Sequence, residues 1–187
     1  MTIDRQRQIE GLVCLIAFGA CIPLANWLIG NVGTFCVPDG PCLIPVAPGV
    51  TAPSGVLRVG LALVLRDLVQ RRLGAKFALL AIAAGTLISA FLAPPALVTA
   101  SAIAFLFSEL ADFAVYTPLQ RRRLVLAVFA SSVTGLVIDS IVFLWLAFGS
   151  LDFLGGQIIG KAWMVLVALP LIAWLRQRDQ RIGLQPA

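Results

Sequence analysis

Six long apolar stretches fill most of this chain, and this feature most limits what it can fold into. A helix crosses the roughly 30 Å hydrocarbon core of a bilayer with about 20 residues. The pattern therefore predicts an all-α membrane protein, a compact bundle of six transmembrane helices within a single integral membrane domain over residues 1–187. The predicted spans are about residues 9–29, 54–70, 76–93, 96–116, 124–148 and 154–175.

The composition supports a membrane protein and leaves no room for a soluble domain. Hydrophobic residues make up 60% of the chain and charged residues 12%, whereas a soluble domain has roughly 45–50% and about 25%. The longest segment outside the spans is residues 30–53. The net charge of +5 could suit nucleic acid, but the placement of the basic residues explains it instead, so we expect no nucleic-acid partner.

The basic residues alternate between the two ends of the predicted bundle. All but two of the 14 Lys and Arg residues lie before the first span, around the second and fourth connections or after the last span. The positive-inside rule then predicts that both termini are cytoplasmic. Arg5 and Arg7 would also suit a cleaved signal peptide, but the apolar run after them is longer than usual, which favours a retained helix.

The outer segment 31–53 is rich in Gly and Pro, which argues against a long helix there. A surface loop and a lid folded back into the membrane edge both remain open. Cys36 and Cys42 lie in this segment, where an oxidising compartment would permit a disulfide without requiring one. The chain has no His and no CxxC pair, so we expect no metal site and no cofactor.

Charged residues inside the spans are the main functional clue. Each costs roughly 2.5–3.5 kcal/mol at the bilayer centre, so such residues face the bundle interior and often mark a site. Helix direction and a rise of about 1.5 Å per residue sort them into two layers. The outer layer, the predicted substrate-binding set, is Asn26, Arg58, Asp139, Gln157 and Lys161. The inner layer, a predicted gate or ion-pair set, is Arg66, Asp67, Glu109 and Asp112. The alternative for both is that the pairs only hold helices together.

Aromatic and small residues give weaker signals. Trp27, Trp145 and Trp174 fall at span ends, as interfacial belts require. Trp163 lies deeper and could stack on a ligand, but an offset of about 200° from Lys161 around the helix turns it away. Phe105 and Phe107 are interpreted as ordinary membrane residues. The small residues Ala17, Cys21 and Ala25 recur every four residues, which suits helix packing or docking of a partner.

Several function classes are disfavoured by what the chain lacks. It has no GxxxxGK[ST] phosphate loop, so no ATPase is built in. Glu109 and Asp112 lie one turn apart and could form an acid–base pair, but no nucleophile or metal ligand accompanies them. We therefore predict that the chain is not an enzyme and has no catalytic residues; a purely structural subunit stays open.

Several short motifs stand in order along residues 24–175: Ala52-Pro53-Ser54-Gly55-Val56, the run 65–74, Ala100–Phe105, Ser108–Asp112, Gly135, Ile138-Asp139-Ser140, Gly160-Lys161 and Pro170. Together they resemble the VUT family, named for vitamin uptake transporter. Family-like polar positions are Asp67, Asp112, Asp139 and Lys161, while Glu109 stands where relatives can carry an amide.

The resemblance implies a compact six-helix transporter of the bacterial cell (inner) membrane. It implies import of a queuosine precursor, a deazapurine such as cyano-deazaguanine, through the polar site. The expected partners are this small-molecule substrate and the lipid bilayer, and a homodimer is left open. The alternative is a substrate-binding subunit of an ATP-driven vitamin or nucleobase uptake complex.

Overall fold

The computed structural model describes residues 3–38, 40–93 and 95–187, except for the side chain of Ala96. Six helices dominate this part of the chain. They are α1 (Ile3–Asn31), α2 (Val56–Leu73), α3 (Ala75–Leu92), α4 (Val98–Leu119), α5 (Leu124–Phe148) and α6 (Leu154–Ile182). A short 3-10 turn, Pro95–Leu97, precedes α4. The predicted turn at Pro94-Pro95 falls partly on Pro94, which lies outside the described residues.

Five of the six helices are long and apolar enough to cross a membrane, and the exception is α2. The chain is therefore a mostly helical membrane protein, and its helices match the predicted spans to within several residues. The largest differences are at the two ends, where α1 begins at Ile3 and α6 continues to Ile182. Polar turns there extend the helices beyond their apolar parts.

Helix α2 is the centre of the bundle and packs against all five other helices. It carries Arg58, Arg66, Asp67, Arg71 and Arg72. Because charged side chains are costly in lipid, a helix with this many of them is placed where protein surrounds it. The helix that least resembles a membrane span is thus the one most enclosed.

Close crossings around α2 depend on small residues. Gly60 of α2 lies against the backbone of α6, where an added Cβ would stand 2.5 Å from the Lys161 carbonyl oxygen. An added Cβ on Gly135 of α5 would stand 2.8 Å from Cδ2 of Leu63 on α2. Glycine lets neighbouring backbones approach closely in the membrane, and here it brings Lys161 to the axis of the bundle.

A small antiparallel sheet covers one end of the bundle, and the all-α prediction missed it. Its strands are β1 (Phe35–Cys36), β2 (Cys42–Ala47) and β3 (Val50–Pro53), in the order β1-β2-β3. Cys36 and Cys42 face each other and form a disulfide, which answers the question that the sequence left open. The Pro and Gly residues that argue against a long helix here lie in or beside short strands. The backbone of the segment is hydrogen-bonded between these strands instead of within a helix.

The sheet is fastened to two helices. Ser54, just after β3, donates its hydroxyl to the Leu28 carbonyl of α1 at 2.7 Å. Trp163 of α6 donates its indole N–H to the Val46 carbonyl of β2 at 2.9 Å. We call this the sheet end. At the opposite end, the terminal end, the start of α1 meets the end of α6 through Glu10 and Arg178, whose Oε2 and Nη2 atoms are 2.8 Å apart.

Candidate functional site

Lys161 is the centre of the polar site near the sheet end. It is 1% exposed, and its ammonium group has three donors. Nζ donates to Asp139 Oδ2 at 2.6 Å, to Ser140 Oγ at 2.8 Å and to Gln157 Oε1. Every donor of the buried cation is therefore matched, and its charge is balanced by Asp139.

Ser140 is a member of this site that the sequence prediction missed. Its hydroxyl donates to the Leu136 carbonyl at 2.6 Å and accepts from Lys161. Serine hydroxyls commonly bond to the preceding turn of their own helix, so a serine beside an acid in a span does not by itself indicate a ligand position. The one sequence feature that could have indicated Ser140 as a site residue is its position next to Asp139.

A cavity opens beside the Lys161–Asp139 pair. Its empty space, with its mouth included, is about 760 Å³, and about 80 Å³ of it admits the centres of water molecules. One water needs roughly 10–15 Å³ by the second measure, so several would fit. The pair therefore borders real space and is not sealed against other side chains.

All six helices contribute to the cavity wall. The predicted outer layer lies entirely in this wall, which we call the cavity layer: Asn26, Arg58, Asp139, Gln157 and Lys161. Arg58 differs from Lys161 and Asp139 because it is exposed and makes no ion pair within the described residues. The wall also includes Pro53 and Leu97, which places the cavity toward the sheet end.

Two aromatic residues in the wall were not expected there. Phe105 and Phe143 both line the cavity, and Phe105 also packs against Phe18 with 6.0 Å between ring centroids. The sequence interpretation of Phe105 as an ordinary membrane residue was therefore wrong, whereas Phe107 is 59% exposed, as a lipid-facing residue would be. Trp163 also behaves as its offset predicted, because it contacts the sheet and does not line the cavity.

The predicted inner layer forms a tight ion cluster, which we call the clasp: Arg66, Asp67, Glu109 and Asp112. Arg66 is fully buried, and its guanidinium pairs with Asp67 at 3.0 Å, with Glu109 at 3.1 Å and with Asp112. The clasp thus ties α2 to α4.

Polar and aromatic neighbours complete the clasp. Ser131 of α5 donates to Asp67 Oδ2 at 2.9 Å, and Gln70 accepts from Arg66 at 2.9 Å. The Arg66 guanidinium also lies 5.7 Å from the centre of the Tyr116 ring. This cluster is packed rather than open, and only Glu109 also reaches the cavity wall.

A third charged cluster near the terminal end was not predicted. Asp179 of α6 is 1% exposed and accepts from Arg71 at 3.0 Å and from Arg72 at 2.8 and 2.9 Å. Glu10 of α1 also pairs with Arg72 at 2.9 Å. The sequence prediction assigned these arginines only to the positive-inside pattern, since the acids lie more than 60 residues away in the chain and share no motif with them.

The small-residue repeat on α1 faces inward. Cys21 is buried and lines the cavity together with Ala25. An added Cβ on Gly55 of α2 would stand 2.8 Å from the Ala25 carbonyl oxygen. Cys21 and Ala25 therefore pack toward α2 and the cavity, in agreement with the packing interpretation, and docking of a partner stays a prediction.

Comparison with known proteins supports the predicted family. Residues 86–175, from the second half of α3 into α6, match the family model Vut_1, described as a putative vitamin uptake transporter. The predicted VUT resemblance is confirmed. Neither the curated proteins nor the solved structures contain a significant match.

The matched region contains most of the polar site. It includes Glu109, Asp112, Asp139, Gln157 and Lys161, whereas Arg58, Arg66 and Asp67 lie before it. The VUT match and the apolar helices together support a multi-pass membrane transporter and favour transport over catalysis.

Proposed function

We propose that this VUT-type chain imports a queuosine precursor, a deazapurine such as cyano-deazaguanine, across the bacterial cell membrane. The single observation that carries the proposal is the buried Lys161–Asp139 pair at the wall of a cavity with room for a guest. A ligand pocket is usually apolar, with a few convergent polar groups that set orientation. This cavity has that character, since Phe105 and Phe143 share the wall with the polar pair.

The pair suits a flat heterocycle that carries both donors and acceptors. The Asp139 carboxylate can accept from ring N–H or amino groups, and Lys161, Arg58 and Gln157 can donate to a carbonyl or nitrile. Since the three Lys161 donors are already matched, a guest must replace Ser140 or Gln157 as acceptor. A solute without an acceptor atom that displaced either of them would leave a buried ammonium donor unpaired, which is costly, so the site favours polar guests.

The orientation in the membrane follows from charge. Most of the basic residues of the chain lie toward the terminal end, so the positive-inside rule predicts that this end is cytoplasmic. The sheet end, with its disulfide, then faces the outside, where disulfides persist. In this proposal all six helices cross the bilayer, so that the cavity is nearer the outer face and the clasp lies between it and the cytoplasm.

The clasp acts as the cytoplasmic gate in this proposal. A guest in the cavity cannot reach the terminal end while Arg66 holds α2 to α4 through Glu109 and Asp112. Release would require these helices to separate while the sheet end closes. Glu109 belongs to both the wall and the clasp, so it is the side chain through which a guest could influence the gate.

Uptake into cells that cannot make the precursor tests the proposal. We expect the Asp139→Ala, Lys161→Ala double variant to reach the membrane and to lose uptake, because the polar recognition groups are gone while no single charge is left unpaired. The matched control is Asp152→Ala with Arg181→Ala, which removes one exposed acid and one exposed base. Normal uptake by the first variant at normal membrane abundance would end the proposal.

Reconstitution separates a self-sufficient transporter from a subunit of an ATP-driven complex. We expect the purified protein alone to move the deazapurine into liposomes. Binding without transport would favour the subunit instead.

A further inference from the structure

A second cavity lies at the terminal end, away from the proposed transport site. Its volume, counted as space for the centres of water molecules, is about 180 Å³. It is formed where the α4–α5 turn, the end of α2, the end of α6 and the last residues of the chain meet. The polar part of its wall, which we call the arginine pocket, consists of Arg71, Gln120, Arg121, Arg122, Arg176, Asp179, Gln180 and Gln185.

The pocket is built by buried and hydrogen-bonded groups and is more than a basic surface. Leu184 is 3% exposed, and its N–H donates to the Asp179 carbonyl at 2.9 Å. The Ala187 N–H donates to the Arg71 carbonyl at 3.0 Å. The chain after α6 therefore folds back against α2 and closes one side of the pocket.

The positive charge of the pocket is not neutralised from within. Asp179 is the acid in the wall, and Arg71 and Arg72 already bind its carboxylate. Within the described residues, the guanidinium groups of Arg121, Arg122 and Arg176 make no ion pair and no side-chain hydrogen bond. Three cationic side chains thus line a concave space whose acid, Asp179, is already bound by other arginines.

A buried amide adds capacity for a polar guest. Gln120 is 7% exposed, and its Oε1 atom has no hydrogen-bond partner within the described part of the chain. Buried polar atoms are normally matched. Because Oε1 is an acceptor, a hydroxyl group of a guest or a hydration water that donated to it would remove the deficit.

We propose that the arginine pocket binds a phosphate group, carried either by an anionic lipid headgroup or by a soluble phosphate compound. Guanidinium groups bind phosphate oxygens through paired N–H donors. Basic pockets between membrane helices on the cytoplasmic side are a known setting for phospholipid headgroups. Trp174, which is 55% exposed on the same part of α6, suits the lipid–water interface where such headgroups lie.

Binding to the purified full-length protein in neutral detergent tests the proposal. One arm titrates cardiolipin and phosphatidylglycerol against phosphatidylcholine, followed by native mass spectrometry. The other arm titrates inorganic phosphate against chloride at equal ionic strength, followed by thermal stability. We expect tighter binding of the anionic lipids than of phosphatidylcholine, or of phosphate than of chloride. The arm that responds identifies the source of the group.

The variants separate the pocket from general surface charge. Arg121→Gln with Arg122→Gln should weaken binding about fivefold for each arginine removed. The matched control, Arg123→Gln with Arg181→Gln, removes two exposed charges near the same end that do not line the pocket, and it should bind as the unmodified protein does. Arg176→Gln tests the opposite wall if the first variant fails to fold.

Two results would overturn the proposal. One is no response to either probe by the unmodified protein. The other is an equal loss in the pocket and control variants, which would show that only the overall positive charge attracts the anions.

Discussion

The Lys161–Asp139 pair of the cavity layer and the clasp both contain buried, paired charges, and they differ in what surrounds them. Lys161 and Arg66 are both almost fully enclosed; Lys161 is paired with one carboxylate and Arg66 with three. Lys161 and its partner border a cavity, whereas Arg66 is surrounded by side chains from α2 and α4 and by the Phe113 and Tyr116 rings. Buried charge alone therefore does not indicate a binding site in a membrane protein; adjacent space that can hold a guest does.

The two regions also differ in charge balance. The cavity-layer pair has one cation and one anion, whereas the clasp has one guanidinium among three carboxyl groups. Since an unpaired buried charge is far more costly than an absent pair, the clasp should depend strongly on its single cation.

The largest effect is expected for Arg66→Gln. It leaves three buried carboxyl groups without their shared partner, which should destabilise the protein by about 3–5 kcal/mol. Thermal or denaturant unfolding in detergent measures the change. Arg58→Gln is the matched control, because Arg58 lies on the same helix but is exposed and makes no ion pair within the described residues. Equal unfolding of the two variants would contradict the clasp as a structural unit.

The next effect is expected for Gly60→Ala. Its new Cβ would lie 2.5 Å from the Lys161 carbonyl oxygen, so α6 must move away from α2. We expect a loss of about 1–3 kcal/mol in stability, as overpacking produces, together with reduced uptake. Gly155→Ala on α6 is the control, since an added Cβ there meets nothing within 4 Å. Unchanged uptake by Gly60→Ala would show that the position of Lys161 is not critical.

The sequence predicted the positions of residues along the helix axes better than their positions across the bundle. Helix direction and rise along the axis correctly grouped Asp139 with Lys161 and Arg66 with Glu109. The same arithmetic gives no position across the bundle, so it missed Phe143 in the cavity wall and the contact of Asp179 with Arg71 and Arg72. The sheet was missed because its strands are short and its fastening to α6 joins Trp163 to Val46, residues far apart in the chain.

A smaller effect is expected for Trp163→Phe. Phenylalanine retains most of the apolar area but cannot donate to the Val46 carbonyl, so the sheet should lose about 0.5–1.5 kcal/mol of local stability. Hydrogen exchange in β2 and β3 measures this change directly. Trp145→Phe is the control, because Trp145 is exposed on α5 and has no side-chain hydrogen bond within the described residues. Faster exchange in both variants would point to a general effect of indole removal.

The smallest effect on stability is expected for Glu109→Gln. The amide oxygen can still accept from Arg66 Nε, and one of three like charges around the guanidinium is removed. We therefore expect a change within about 1 kcal/mol, measured as for Arg66→Gln. A loss comparable to that of Arg66→Gln would mean that the clasp requires all three carboxylates, and the charge comparison between the two regions would then fail.

The central place of α2 has a consequence for how the protein is made. Its charges make it a poor substrate for direct release from the translocon into lipid. Glu109, Asp112 and Asp179, which pair with its arginines, belong to helices that the ribosome synthesises later. The nascent α2 must therefore be sheltered, by the translocation machinery or by α1, until α4 and α6 have entered the membrane. Assembly of the bundle thus ends with the enclosure of one of the first helices to be synthesised.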